Sequence, residues 1–451
     1  MIRKYILPRA DLLLLAVVIV PVIAPQGRFS PLLLGVPLGW LAARRWRGRA
    51  IEPTPLNTAV LLLALMSLIS LYVTYSIEQS FPKIAGLVFG ISVFFAVAGN
   101  IHTRKSFYWL SCTFVLGGVG VAALGVLGSR WLQKVPILIA ITERIPSISF
   151  GLHGAVEGFH PNEVAGVLLW VAPLALAACV VILAQRIKLK EQIGNGGATA
   201  LFLGSALAVF PNWGVLILTQ SRSGWIGIAA ALLWTAAVLI NRRLPLQEKW
   251  RLAFWSMISV LLVIGMVSLA PRILNEGARP IYEETTGSAL SINSLASRVE
   301  IWSRATYGIE DFSITGMGMN TFREVVHVLY TLFTIPPDRD FAHAHNHLLQ
   351  AALDLGLPGL IGYLSLWLIS AVLLYRIWAR ASDWEDRLWV LGLGGGMLGY
   401  FVYGLADAVA LGAKPGFLWW YLLGLIAALY RLQVTGIAGD RYQELQVPGQ
   451  T

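Results

Sequence analysis

The sequence predicts an all-α protein whose helices cross a membrane many times. Hydrophobic residues make up 57% of its 451 residues and charged residues only 13%, and the mean hydropathy is +0.68. Soluble globular proteins carry nearly twice that share of charge, about 25%. Apolar stretches near the length of about 20 residues that a bilayer requires recur along the chain. These observations predict a polytopic integral membrane protein, in which helices satisfy the backbone hydrogen bonds that lipid cannot.

About 12 apolar stretches are predicted to be transmembrane helices. They are 11–25, 30–43, 57–75, 82–100, 107–128, 162–184, 199–219, 222–240, 252–270, 348–374, 388–409 and 412–431. The first two are short and are interrupted by Pro21, Pro31 and Pro37. They either cross the membrane or form a tight re-entrant pair, and the orientation of the other helices is the same in both cases. We interpret the first stretch as an uncleaved anchor, because no small-residue cleavage site precedes the second.

The distribution of lysine and arginine predicts the orientation. Connections on one side of the membrane hold most of these residues. The short connections on the other side hold few, namely Arg28, Lys83, Arg222 and Lys414. By the positive-inside rule the basic side and both termini are cytoplasmic, and the long segments 129–161 and 271–347 face outward. The net charge of +10 is explained by basic loops beside anionic membrane lipids, and it predicts no nucleic-acid partner.

The chain is predicted to contain one membrane domain and one external insertion. Residues 1–270 form helices one to nine, 271–347 the external loop subdomain, 348–432 helices ten to twelve, and 433–451 a cytoplasmic tail. The insertion is too short for a large core of its own, so we expect it to cap the membrane helices. Cys112 and Cys179 fall inside predicted helices, which predicts no disulfide framework.

The insertion itself contains two predicted helices. The first starts near Ser294 or Ser297 and places Ile301, Trp302 and Ala305 on one face. A glycine-marked turn at 315–320 separates it from a shorter helix at 322–332. In the eleventh transmembrane helix, glycines between 392 and 399 have the small-xxx-small spacing that predicts close helix packing.

Three histidines at alternate positions, His343, His345 and His347, lie where the insertion meets the tenth transmembrane helix. Titratable groups at a boundary between water and lipid are hard to explain by packing alone. They admit three interpretations: a general base, a metal site, or polar caps at the interface. A general base is favoured over a metal, since no defined ligand spacing such as HExxH accompanies them. We therefore predict no metal and no cofactor.

Arg222 lies in the segment TQSRSGW, at the outer end of the eighth predicted helix. Ser221 and Ser223 can cap that helix, and its free N–H groups and dipole favour an anion beside the guanidinium. This arrangement suits a phosphate, although an arginine that snorkels to the interface is the alternative. Arg298 of the insertion, one turn before Trp302, is the second candidate, and two arginines from separate elements can clamp a diphosphate.

Other residues are predicted to support the same outer site. Arg304 and Arg323 add positive charge to the insertion, with a solvated helix face as the default interpretation. His160 and Asn162 lie in GFHPNEVAG, at the outer start of the sixth helix, and can line the same cavity, but Asn162 can equally be an N-cap. Asn346 follows the central histidine. Asp354 and Asp407 fall within predicted helices and are expected to be paired inside the bundle.

The chain resembles the bacterial superfamily of O-antigen ligases and O-antigen polymerases, which includes protein O-oligosaccharyltransferases. The layout is similar over most of the chain, and the motifs are similar from Ser221 to Gly359. His345-Asn346 followed, after nine residues, by Gly356-Leu357-Pro358-Gly359 resembles the histidine motif of the ligases. Arg222 in SRSGW and Arg298 in SRVEIW resemble the two arginines of the family.

The resemblance implies a function and a location. Arg222 and Arg298 would bind the diphosphate of an undecaprenyl-linked glycan, and His345 would activate the acceptor hydroxyl. The implied reaction is a metal-independent, inverting glycosyl transfer by a multi-pass protein of the bacterial inner membrane, with the active site facing the periplasm or exterior. The implied partners are a lipid-linked glycan donor and a glycolipid, glycan or protein acceptor.

The motifs leave the acceptor open. We expect a ligase that uses the lipid A core, followed by a polymerase of O-antigen or exopolysaccharide, and then a protein O-oligosaccharyltransferase. A different class is a transporter of small solutes such as inorganic carbon, which some relatives are proposed to be. A transporter would place its polar site near the middle of the membrane, whereas the candidate residues here lie at the outer surface.

Overall fold

The fold is given by a computed structural model. The structure describes residues 10–23, 31–33, 35–48, 51–132, 134–146, 148, 151, 158–240, 295–333, 335–336 and 341–444. The predicted ninth helix at 252–270 and the first part of the insertion lie outside the described residues. Within them the chain is helical and contains no strand, apart from one isolated bridge between Ser129 and Phe159. The all-α class is confirmed.

Helices follow one another along the described chain. They are α1 (Ala10–Val18), α2 (Val20–Ile23), α3 (Gly35–Arg47), α4 (Asn57–Val73), α5 (Ile77–Asn100), α6 (Arg104–Gly128), α7 (Pro136–Thr142), α8 (Pro161–Ala184), α9 (Arg186–Leu218), α10 (Arg222–Ile240), α11 (Leu295–Asp311), α12 (Phe322–Leu329), α13 (His347–Arg380), α14 (Trp384–Gly404) and α15 (Phe417–Glu444). A 3₁₀ turn at Lys414–Gly416 precedes α15. Most of the predicted stretches overlap one of these helices closely.

One predicted helix end is wrong, and the error affects the placement of Asp407. The stretch 388–409 was expected to be helical to its end, but α14 stops at Gly404. Asp407 therefore lies in an irregular loop between α14 and α15 rather than inside a helix. The helix ends there because Asp407 is held by groups from other elements. Hydropathy along the chain carries no information about such contacts.

Within the described residues, seven helices are long and apolar enough to cross a membrane, judged by length and composition. Shorter apolar helices cover Leu14–Ile23, Pro31–Ala42 and Asn57–Val73. This is the architecture predicted for a multi-pass membrane protein. The number of about 12 remains a prediction, and so does the choice between crossing and re-entry for the first two stretches.

The glycines of α14 allow close packing against α8 and α10. A Cβ atom at Gly396 would lie 2.7 Å from the backbone oxygen of Trp170 in α8, and one at Gly399 would lie 3.2 Å from the backbone oxygen of Gly227 in α10. Larger side chains would push these helices apart. The predicted role of the glycine spacing in helix packing is confirmed.

The insertion packs around a small core of its own. The helix α11 begins and faces inward as predicted, with Ile301 and Ala305 fully buried. This core is formed by Ile301, Ala305, Met317, Phe322, Val326, Ile335, Phe341, Ala344 and Leu353. Leu353 belongs to α13, so the core joins the insertion to the membrane helices.

Polar contacts also fasten the insertion to the turn between α4 and α5. The Ser80 hydroxyl donates to the backbone oxygen of Met319 at 2.6 Å, and the Met319 N–H donates to Ser70 Oγ at 2.6 Å. Thr74 and Thr321 face each other with their hydroxyl oxygens 2.9 Å apart. The glycine-marked turn is therefore held against the ends of two membrane helices.

Candidate functional site

A short helical segment explains the spacing of the histidine motif. Asn346 caps α13: its Oδ1 accepts hydrogen bonds from the N–H groups of Leu348 at 2.9 Å and Leu349 at 3.1 Å. The helix then runs to Gly356, whose φ of 69° interrupts it. The nine residues between Asn346 and Gly356 are thus one helical segment with a polar cap at one end and a glycine break at the other.

The break at Gly356 docks this segment onto the insertion. The N–H of Leu357 donates to Ser313 O at 2.7 Å, and the N–H of Met317 donates to Leu353 O at 2.7 Å. A Cβ atom at Gly356 would lie 2.3 Å from Ile314 O. Both the left-handed backbone and the lack of space require glycine here.

His345 is held in an unusual backbone conformation just before the cap. Its φ is 49°, in the left-handed region that residues other than glycine seldom adopt. The preceding residue is fixed on both sides: Ala344 N–H donates to Gln350 Oε1 at 2.7 Å, and Trp302 Nε1 donates to Ala344 O at 3.0 Å. The surrounding structure thus determines a strained backbone at one residue, a feature that clusters at functional sites. Trp302 thus helps to hold the loop that carries the histidines.

Asp407 lies at the centre of the site. It is 2% exposed, and side chains from three other parts of the chain converge on it. Its Oδ1 is 3.3 Å from His345 Nδ1 and 3.8 Å from His343 Nε2. Its Oδ2 accepts from Asn162 Nδ2 at 2.8 Å and lies 3.4 Å from Arg298 Nη2. A buried carboxylate therefore joins the start of α8, the helix α11 and the histidine loop.

The same contacts decide the charge of Asp407. Burial alone would raise the pKa of this carboxyl, but the hydrogen bond from His345, together with the electrostatic attraction of the neighbouring imidazoles and of Arg298, holds it below its ordinary value. Asp407 is consequently ionised at neutral pH. An ionised carboxylate is the partner that orients and stabilises a histidine acting as a base.

His343 remains neutral beside it. Burial, followed by the neighbouring charge of His345, lowers the pKa of His343 well below its ordinary value. Its Nδ1 accepts a hydrogen bond from the backbone N–H of His345 at 3.1 Å. The proton of neutral His343 is therefore on Nε2, which faces Asp407. His343 supports the loop and has no free lone pair for a substrate.

The contacts of His345 are compatible with its predicted role as a general base. A hydrogen bond from its Nδ1–H to Asp407 places the lone pair on Nε2. No described residue is a hydrogen-bond partner of that Nε2. An imidazole with its Nδ1 on a carboxylate and its Nε2 free can take a proton from a hydroxyl.

The two predicted arginines differ in their surroundings. Arg222 is exposed at the start of α10 and forms no hydrogen bond or ion pair with any described residue. Arg298 is largely buried, and its Nε has no hydrogen-bond partner within the described chain. Ser221 caps α10 as predicted, since its Oγ accepts from the Gly224 N–H at 3.3 Å. Ser223 contacts the Ser221 hydroxyl at 3.3 Å instead of capping the backbone.

A third cation, Lys134, lies near the two arginines. Partial removal from water and the charges of Arg222 and Arg298 lower the pKa of Lys134 to about 8. Its Nζ donates to the backbone oxygen of Gln220 at 3.3 Å. The side-chain oxygen of Gln220 accepts from the N–H groups of Lys134 and Val135, each at 2.8 Å. The segment before α7 is thus attached to the turn that carries Arg222.

Of the residues predicted at the start of α8, Asn162 reaches the site and His160 caps the helix. His160 Nδ1 accepts from the Asn162 N–H at 3.2 Å, so the cap is His160 rather than Asn162. Burial lowers the pKa of His160. His347 points elsewhere: its Nδ1 is 2.9 Å from the Tyr363 hydroxyl, and aromatic rings surround it.

Two other described arginines of the insertion, Arg304 and Arg323, have structural partners. Arg304 Nε donates to the backbone oxygen of Thr331 at 2.7 Å, and Arg304 Nη2 lies 3.7 Å from Glu300. Its guanidinium also lies over the ring of Phe333. Arg323 lies 3.7 Å from the neighbouring Glu324. Neither residue contacts Asp407.

One group of described side chains has the composition of a metal site. Ligand atoms of His343, His345 and Asp407 all lie within 4.8 Å of one another. The guanidinium of Arg298 on the same carboxylate opposes a second positive charge there, and His343 Nδ1 is already engaged. The prediction that the site uses no metal remains a prediction, and a chelator experiment tests it.

Sequence reasoning missed the central residue and the third cation. In the sequence, Asp407 stands out as an acid in an apolar stretch, which is a mark of intramembrane function. The sequence does not identify the residues that contact it. Lys134 lies in a long external connection, and the positive-inside rule does not count charges in long connections. Gln220, with a φ of 51°, carried no signal in the sequence.

Comparison with known proteins agrees with the motifs. A search among curated proteins finds no match to the chain. The sequence model of the O-antigen ligase family matches residues 206–364. That segment contains Arg222, Arg298, His343 and His345, whereas Asp407 joins them only in three dimensions. The match to this segment supports membership of the chain in the O-antigen ligase family and a function of the same type, membrane glycosyl transfer.

Proposed function

We propose that this protein transfers a glycan from an undecaprenyl-diphosphate carrier to a hydroxyl of the lipid A core. The reaction takes place at the periplasmic face of the bacterial inner membrane. The observation that supports this most directly is the position of His345: its Nδ1 contacts an ionised carboxylate, and its Nε2 has no partner among the described residues. Arg298 lies on the same carboxylate, and its Nε has no described partner. This is the arrangement that a base and a diphosphate leaving group require.

The chemistry follows from these residues. The acceptor hydroxyl forms a bond to the anomeric carbon while its proton passes to His345 Nε2. The bond between the anomeric carbon and the diphosphate oxygen breaks, and that oxygen keeps the electron pair. Attack opposite the leaving group inverts the anomeric centre. Arg222 and Arg298 stabilise the charge that develops on the diphosphate, a task suited to planar guanidinium groups.

The position of the site supports this reaction over transport. The charged residues lie at the ends of α8, α10 and α14 and before α13, where a lipid diphosphate at the membrane surface can reach them. A transporter of small solutes is expected to bind them near the bilayer midplane. The opposite helix ends hold a separate network, in which Arg104 pairs with Asp386 and Gln433 donates to Asp386 at 2.9 Å.

A deletion strain and a purified assay together test the proposal. Deleting the gene should cause lipid-linked glycan to accumulate and should leave the lipid A core without its glycan. Purified protein should transfer the glycan to lipid A core in detergent. Transfer only to a second lipid-linked glycan would identify a polymerase, and transfer only to a protein would identify an oligosaccharyltransferase. No accumulation and no transfer to any of the three acceptors would refute the proposal.

A further inference from the structure

Lys134 is separated from the other site residues in sequence and is brought to them by a specific attachment. The two N–H groups of Lys134 and Val135 both donate to the side-chain oxygen of Gln220, each at 2.8 Å. Gln220 is completely buried and adopts a left-handed φ of 51° directly before Ser221 and Arg222. The turn that caps α10 therefore also holds the segment that carries Lys134.

The ammonium group of Lys134 remains available to a ligand. Among the described residues, it donates one hydrogen bond, to the neutral backbone oxygen of Gln220 at 3.3 Å. An ammonium has three N–H groups, so two are left for another acceptor. No described carboxylate forms an ion pair with Lys134.

The charges that face Lys134 are mostly positive. They are Arg222 from α10, Arg298 from α11, Asp407 from the loop after α14 and His160 before α8. Asp407 is the one anion among them, and its carboxylate oxygens already contact His345, Asn162 and Arg298. Arg298 Nε is buried without a partner, and Arg222 is unpaired among the described residues. Like charges repel, so holding three cations together favours an anion of more than one charge.

We infer that Lys134 is a third binding residue for the donor diphosphate, and that it makes diphosphate binding depend on pH. This inference rests on the proposed function, because it assumes that Arg222 and Arg298 bind the same group. Its new element is a lysine outside the matched family segment that contacts the diphosphate from the connection between α6 and α7.

The sign of the pH dependence follows from the charge of Lys134. A bound diphosphate stabilises the ammonium, so diphosphate affinity is at its maximum while Lys134 is protonated. The pKa of Lys134 in the free protein is lowered to about 8. Affinity should therefore be level below that pH and fall as the pH rises through it. His343 and His160 have lowered pKa values and titrate on the acid side, outside this range.

The experiment measures binding of inorganic pyrophosphate to the purified full-length protein by titration calorimetry, at pH about 7 and about 9.5. Lys134→Gln should weaken binding about tenfold at the lower pH, the scale of one charge-assisted contact. Lys134→Arg stays charged, so it should bind like the wild type at the lower pH and more tightly than the wild type at the higher one. Ionisation of pyrophosphate itself affects every protein equally and cancels in the comparison. Arg144→Gln, in the same connection and exposed, is the matched control and should bind like the wild type.

The results separate this inference from the proposed function. The attachment to Gln220 uses backbone N–H groups, so both Lys134 variants should fold, and a thermal unfolding scan checks this. Loss of binding in Arg222→Ala and Arg298→Ala with normal binding by Lys134→Gln would overturn the role of Lys134 and leave the proposed function intact. A Lys134→Arg protein that loses affinity at high pH as the wild type does would overturn the pH dependence. Normal binding by all of these variants would overturn both the inference and the diphosphate clamp.

Discussion

His345 and Asp407 are 62 positions apart in the sequence, yet His345 Nδ1 lies 3.3 Å from Asp407 Oδ1. The contact joins the loop before α13 to the loop after α14. It fixes both the orientation of the imidazole and the nitrogen that carries its proton. Of the three alternating histidines, His345 is the one that combines this carboxylate contact with an unengaged second ring nitrogen among the described residues.

Replacing His345 by alanine should reduce glycan transfer by roughly a hundredfold or more, the usual effect of losing a positioned general base. Donor binding should persist, because the arginines remain. The measurement is transfer by purified protein in detergent, with donor binding determined separately. Near-normal turnover by His345→Ala would exclude it as the base.

A chelator tests the metal alternative in the same assay. Wild-type activity should be unaffected by EDTA, because protonation of His345 needs no metal. Inactivation by EDTA with rescue by a divalent ion would instead assign the group of His343, His345 and Asp407 to metal binding.

Asp407→Asn should lower kcat by at least about a hundredfold while the KM for the donor does not rise. The amide keeps the size of the carboxylate but loses its charge, so it no longer requires the proton of His345 to be on Nδ1. The double variant with His345→Ala should be no slower than His345→Ala alone, because the two residues act as one unit. Additive losses in this cycle would mean that Asp407 acts independently of His345.

Arg222→Lys should lose much of the activity although it keeps the charge, because an ammonium cannot make the planar, two-pronged contact. Arg222→Ala and Arg298→Ala should raise the KM for the donor. Arg304→Ala is the control within the insertion: it loses contacts with Thr331 and Glu300, so its effect should be on stability. Full activity of Arg222→Ala and Arg298→Ala at normal protein levels would rule out the clamp.

Gly356→Ala should lower the thermal stability of the purified protein. A left-handed alanine costs about 1–2 kcal/mol, and its Cβ would also collide with Ile314 O at 2.3 Å. Gly204→Ala is the matched control, because that helical glycine has open space around it. Equal melting temperatures for the two variants would contradict the packing described for the break.

Cysteine labelling tests the orientation in a protein whose Cys112 and Cys179 have been replaced. A cysteine at Glu310, exposed on α11, should react with an impermeant thiol reagent in intact cells. One at Ser382, exposed between α13 and α14, should react only after the cells are opened. The reverse pattern would move the candidate site to the cytoplasm.

The transmembrane helices were predicted well because hydrophobicity along the chain is a local property. The stretches 162–184 and 222–240 agree with α8 and α10 to within one residue. The end of α14 was predicted five residues too late, because Ala408 and Val409 are as apolar as the helix before them. The chain leaves the helix there through contacts of Asp407 with distant groups.

The sequence by itself determined the all-α class, the positions of most helices, and the motifs that make Arg222, Arg298 and His345 the candidate site residues. Each of these depends on neighbouring residues or on a repeat within one helix. Only the tertiary structure brought Asp407 to His345, placed Asn162 rather than His347 on that carboxylate, and attached the segment of Lys134 to the turn that carries Arg222. Those contacts link residues from separate helices and loops, and they depend on packing across the fold, such as the close approaches at the glycines of α14 and at Gly356.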